Sequence, residues 1–185
     1  MKTTEYFPVA QIIRERRSIK KFKPDPVSEE LICELLNVAV WAPNHRIREP
    51  WRFTLFVGEG KKTVVEAIIH NAVKRRDPDM LMKVPAYLAV SVREDERQRE
   101  WDEDVFACAA LIQNFQLAAW ERGLGAVWLT EPFTYQPGFR QSIGVKPDEK
   151  LIGLLQIGYP EVIPPAVQRT PAEEKLTVIR DSTNS

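Results

Sequence analysis

Between Val105 and Trp120 the chain is apolar on nearly every side of a helical repeat, with Ala107, Ala109, Ala110, Ala118 and Ala119 as its small residues. Such a helix has to be surrounded, and that requirement governs what the remaining residues can build. It fits a central core helix, or one covered partly by a second subunit, because alanine-rich faces let helices approach closely. With 185 residues, 44% of them hydrophobic and five of them Trp, the chain can bury one sizeable core. A single domain over residues 1–185 is expected.

The flanking segments alternate in period. Val9, Ile12 and Ile13 recur at helical spacing and predict a short amphipathic helix from Val9 to Arg17. Pro24 and Pro26 forbid its continuation, and Ser28 followed by Glu29 and Glu30 is a capped helix start. The face Leu31, Leu35, Val38 and Ala39 then reads as buried, with Ile32 and Leu36 beside it, and Pro43 ends the pattern. Trp51 to Val57 is strand-like and closed by Gly58 and Gly60. Lys61 to Arg76 predicts a helix ending in a charged turn through Asp79, and Tyr87 to Val92 a second strand. After the densely charged stretch Glu94 to Glu103 and the long apolar helix, Ala126 to Leu129 and Leu151 to Ile157 supply two more strands. The prolines between Ile163 and Pro171 call for an extended surface run, and Lys175 to Ile179 for a late edge strand or arm. The pattern is a mixed α/β sandwich.

Charge narrows the partners. Lys plus Arg (26) equals Asp plus Glu (26), so no net field exists to hold a polyanion and nucleic acid is not expected. Cys33 and Cys108 both fall in helical segments without CxxC spacing and read as buried free thiols. A reducing, cytoplasmic setting fits. The amino terminus, with Lys2, Thr3, Thr4 and Glu5, lacks a hydrophobic signal core, and no apolar run approaches the ~20 residues that span a bilayer, so no membrane partner is expected.

Against that neutral background, Arg16, Arg17, Ser18, Lys20 and Lys21 concentrate anion-binding chemistry in a few positions. Guanidinium groups offer paired planar donors that suit phosphate, and a hydroxyl adds another. Alone, the cluster also reads as a solvated helix end whose cations suit the macrodipole.

Three separated segments decide between these readings: Arg16, Arg17, Ser18 and Lys20; Ala42, Pro43, Asn44 and His45 through Glu49, Pro50 and Trp51; and Gly158, Tyr159, Pro160 followed by Arg169. With Gly123, Leu124, Gly125 and Trp128 between them, they resemble the flavin-dependent nitroreductase family, especially its short members. The resemblance implies an α+β fold, a nitroreductase-like sandwich with a mainly antiparallel central sheet flanked by helices. It implies an intertwined homodimer with FMN at each interface.

Carried onto this sequence, it implies that Arg16, Ser18 and Arg17 hold the FMN phosphate and ribityl chain, with Arg169 approaching the same phosphate. It sets Lys20 near flavin N1 and the C2 carbonyl, where reduction builds negative charge. Trp41, Pro43, Asn44 and His45 belong to a loop reaching the flavin across the interface. Trp128, Leu129 and Thr130 match a strand end beside the ring, where the Trp128 side chain fits either core or ring contact. Many relatives carry Gln where this chain has Glu49, and an ionised carboxylate cannot donate a hydrogen bond. Glu131 is followed by Pro132 rather than Gly, so the role of the Glu-Gly pair of larger relatives is not carried over; Phe133 and Tyr135 are expected to line the substrate pocket instead. His70 has no evident partner.

The implied reaction is ping-pong: NADH or NADPH gives a hydride to flavin N5, departs, and an electron-poor small molecule, a nitroaromatic or quinone, takes the electrons. The cofactor carries that chemistry, which accounts for a sequence without triad, metal cluster or carboxylate pair. Gly58, Glu59 and Gly60 lack the third glycine of a dinucleotide fingerprint. Flavin fragmentation, reductive dehalogenation and a non-catalytic flavin-binding dimer remain as alternatives on the same scaffold.

Overall fold

The computed structural model describes residues 8–179; Lys2 to Glu5, part of the amino-terminal reading above, lie outside them. Four strands, Trp51–Val57 (β1), Ala86–Arg93 (β2), Gly125–Leu129 (β3) and Glu149–Gly158 (β4), form one sheet in the order β1-β2-β4-β3. Every pairing is antiparallel. The helices are Pro8–Glu15 (α1), Glu29–Ala39 (α2), Lys61–Asn71 (α3), Pro78–Met82 (α4), Gln98–Glu121 (α5) and Pro137–Ser142 (α6).

Two apolar cores lie on the two faces of the sheet. Ala86, Leu88, Val90 and Val92 of β2 meet α2 and α5 on one side, while Tyr87 and Ala89 meet α3 and α6 on the other. The period-2 alternation of a strand thus serves both layers, and β2 is buried from Ala86 to Val92. A bulge opposite Val90 and Ser91 inserts Ile152 into β4, and the Trp128 indole donates to the Ile152 carbonyl at 3.2 Å.

The long apolar helix is enclosed on the sheet side through Cys108, Leu111, Ile112 and Phe115, yet Phe106 is 70% exposed. One chain therefore covers only part of α5. α1 buries no residue at all, and Val9 and Ile13 lie open.

Several boundaries differ from expectation for local reasons. α1 stops at Glu15, before Arg16 and Arg17. α3 stops at Asn71 because Ala72 turns extended, and Asp77 caps a new short helix whose Pro78 cannot sit inside an old one. α5 starts inside the charged stretch, where Gln98 and Asp102, and Arg99 and Glu103, pair one turn apart on its exposed side. In α2 the inner face is Ile32, Leu35 and Ala39, so Val38 is exposed. Cys33 on that solvent side is exposed too, which corrects the expectation of two buried thiols; Cys108 is buried. The late strand does not form: Ala172–Lys175 is a 3-10 turn and Leu176 to Ile179 joins no ladder.

Candidate functional site

Beyond α1 the basic segment becomes an extended strap along the sheet edge. Ser18 bridges Ala126 in parallel, the Ile19 amide donates to the Ala126 carbonyl at 3.1 Å, and Phe22 bridges Pro160. The Lys23 amide donates to Tyr159 at 2.9 Å and the Glu161 amide to Lys21 at 3.0 Å. Ile19 is wholly buried and Phe22 nearly so, which anchors the strap and leaves Ser18 and Lys20 on its outer side. Two glycines permit the close approach: a Cβ at Gly125 would stand 2.3 Å from Ile19 Cγ1, and one at Gly158 3.0 Å from Phe22 Cδ1. The Gly-Tyr-Pro segment thus acts by docking the basic strap.

Arg169 arrives from the other end of the chain. The Arg16 guanidinium is held below its ordinary pKa, first by burial and then by the charges of Arg17 and Arg169. Among the described residues none of these three arginines forms an ion pair. Arg17 folds back, its Nη1 donating to the carbonyls of Arg14 at 2.6 Å and Arg16 at 2.9 Å, and its buried Nε has no partner. Converging cations without a counter-charge, beside a buried donor left unused, fit an anionic group such as a phosphate.

Lys20, farther along the strap, borders a cavity of about 240 Å³ with Leu129, Phe133, Gln156, Arg76 and Glu131. Phe133 is buried edge-on to Phe139 at 5.0 Å, whereas Tyr135 is exposed and does not border the cavity. Thr130 is exposed beside it. The Trp128 side chain packs with the core and serves the β4 bulge, so only its backbone is left to face this side. His70 turns Nδ1 to the Glu66 carbonyl of its own helix at 2.7 Å.

The loop before β1 stands elsewhere. Trp41 is 87% exposed, Pro43 and His45 are exposed, and Asn44 is half-buried, accepting from the Glu49 amide at 3.0 Å and donating to Ala42 at 3.1 Å. Arg46, Ile47 and Glu49 all adopt positive φ, at 54°, 54° and 46°. That strain is held by Arg48, which pairs with Asp95 at 3.1 Å and buried Asp104 at 2.8 Å. Asp95 is held well below the usual carboxylate range by hydrogen bonds from Arg97, with Arg48 adding to them, while burial raises Asp104. Because β1 and β3 are the two outer strands, the loop and the basic strap lie at opposite edges of one sheet.

The sequence profile described as Nitroreductase family matches residues 13–159. The chain belongs to the nitroreductase family. A Bacillus subtilis (strain 168) relative, provisionally named NAD(P)H nitroreductase YfhC, is 39% identical over 178 residues, covering 90% of this chain and 91% of that protein. The crystal structure of a nitroreductase-like family protein from Bacillus cereus is 41% identical with a TM-score of 0.89, over 97% of this chain and 100% of that one. A protein from Desulfovibrio desulfuricans, provisionally named a nitroreductase and solved in complex with FMN, is 25% identical with a TM-score of 0.79, over 95% of this chain and 99% of that one. The nitroreductase fold expected from the sequence, helices around an antiparallel sheet, is the fold observed.

Within this nitroreductase-family fold, two residues that sequence reasoning passed over reach the Lys20 cavity. Arg76 and Glu131 border it and pair with one another. Arg76 lies beyond the end of α3 at Asn71, in the charged turn that Asp77 and Pro78 mark in the sequence. Glu131 borders the cavity and pairs through its side chain although Pro132 rather than Gly follows it.

Proposed function

We propose that this nitroreductase-family chain is an NAD(P)H-dependent FMN oxidoreductase that works as a homodimer and reduces electron-poor small molecules such as nitroaromatics or quinones. The observation that carries this reading is the convergence of Arg16, Arg17 and Arg169 without a counter-charge, on a strap that continues to Lys20 and a cavity with apolar and charged walls. Arg16, Ser18 and Arg169 hold the phosphate, and Arg17 braces the turn that presents them. Each charge-assisted hydrogen bond of this kind contributes roughly 1.5–3 kcal/mol. FMN held by these residues would supply the hydride-accepting and electron-returning chemistry between nicotinamide and acceptor.

The chain's own residues do the positioning. Lys20 keeps a cation beside the ring cavity, where it favours the reduced cofactor electrostatically. Asn44 and His45, on the strained loop, complete the site of the other subunit, which accounts for their distance from the strap in one chain. Exposed Val9, Ile13 and Phe106 supply apolar surface for that second copy. Among the described residues no helix is long and apolar enough to cross a membrane.

The visible spectrum of purified protein, before and after anaerobic NAD(P)H, tests cofactor and reactivity together, and light scattering tests the dimer. Yellow protein bleached by NAD(P)H is expected. Colourless protein that ignores added FMN would end the proposal, and bound flavin that NAD(P)H leaves oxidised would reduce it to a binding dimer.

A further inference from the structure

Arg76 and Glu131 are a cation and an anion placed together on the Lys20 cavity, and neither is used by the phosphate site. The pair is about one third exposed, a setting in which an ion pair by itself stabilises a fold little. Yet Arg76 Nε is buried and has no hydrogen-bond partner. A buried donor left unmade is unfavourable, so a ligand atom that meets it gains more than one meeting an exposed donor.

The cavity is smaller than the roughly 300–1,000 Å³ of a whole ligand site, so it takes part of a larger molecule whose remainder lies outside. Its walls are sorted by chemistry. Val127, Leu129 and Phe133 are apolar and suit a flat ring, while Lys20 and Arg76 can only donate, ionised Glu131 can only accept, and the Gln156 amide can do either. The pyrimidine edge of an isoalloxazine runs carbonyl, N–H, carbonyl, an acceptor-donor-acceptor order. Two donor-only groups with one acceptor-only group complement it.

We propose that Arg76 and Glu131 recognise the pyrimidine edge of the flavin ring and set its reduction potential with opposing charges. This rests on the FMN reading above. A cation there stabilises the electron density that reduction adds and an anion opposes it, so removing each partner has an opposite consequence. An ion pair that merely braced the fold would give both removals the same consequence, a lower melting temperature.

The experiment measures FMN affinity, flavin midpoint potential and apoprotein melting temperature for the wild type, Arg76→Gln and Glu131→Gln. Arg76→Gln is expected to weaken FMN binding about tenfold or more and to move the potential negative. Glu131→Gln is expected to move the potential positive, and this variant carries the test if Arg76→Gln does not fold. Wild-type potential and affinity in both variants, with only the melting temperature altered, would overturn the inference and leave the FMN reading standing. Wild-type protein that takes up no FMN would overturn both.

Discussion

Arg169 reaches Arg16 from the far end of the chain: after burial and Arg17, its charge is the next influence holding the Arg16 guanidinium below its ordinary pKa. Like charges are brought together here with no acid among the described residues to offset them, an arrangement unfavourable to the empty protein and favourable to an anion-bound one.

Arg16→Ala and Arg169→Ala should therefore act in opposite directions on ligand and fold. Each is expected to weaken FMN binding by roughly tenfold to a hundredfold, while apoprotein stability is unchanged or rises. Flavin titration and urea denaturation of the apoprotein measure the two effects. Unchanged flavin affinity in both variants would mean that the phosphate lies elsewhere.

Gly125→Ala should disturb the site from inside the fold. The new Cβ would stand 2.3 Å from Ile19 Cγ1 and 2.7 Å from Ile19 Cβ, so the strap itself must shift. A loss of about 1–3 kcal/mol is expected, with a fall in FMN affinity although no ligand-facing side chain has changed. Gly60→Ala, with nothing within 4 Å of its Cβ, is the control and should leave both quantities near wild type. A Gly125→Ala protein as stable as that control would show that the strap is not packed as described.

Arg48→Ala should release the strained loop of Arg46, Ile47 and Glu49 and leave buried Asp104 without its cation. Destabilisation of about 1–3 kcal/mol near neutral pH is expected. Its pH dependence follows from Asp104, whose folded pKa is raised above the ordinary 3.8 by burial, with Arg48 acting against that shift. Without Arg48 the folded pKa rises further, so the ionised form is disfavoured more. Protonation relieves the penalty as pH falls through that raised value. The stability gap to wild type should thus be wide at about pH 7 and narrow toward about pH 4, as urea denaturation at the two values would register. An equal gap at both would dissociate Asp104 from the loop.

The two thiols should separate cleanly. Burial pushes Cys108 up to about 12, whereas Cys33 lies exposed on α2. A thiol reagent at neutral pH is expected to modify Cys33 in the native protein and both residues once it is denatured. Native modification of Cys108 would contradict the packing of α5 against the sheet.

Much was legible without coordinates. The four strands appear within two residues of their expected bounds, because runs such as Trp51 to Val57 carry β-branched and aromatic residues between clear stops. Helix ends were less legible, since Ala72 and Asp77 terminate and restart the chain by local geometry rather than by any change of period. Cys33 was misplaced because helical periodicity marks an apolar face without saying how wide it is once the sheet and α5 press against α2.

The sequence by itself determined the order of the four strands and of the helices α1, α2, α3 and α5, and the anion-binding chemistry of Arg16 to Lys20, because period and side-chain type are local properties. Only the tertiary structure decided that Arg76 and Glu131 share a cavity with Lys20 and that the Asn44 loop stands at the sheet edge opposite the strap, whereas the approach of Arg169 to the Arg16 site was already implied by the family resemblance. Those relations depend on strand pairing and on two close approaches allowed by Gly125 and Gly158, contacts between residues far apart in the chain whose spacing carries no trace of them.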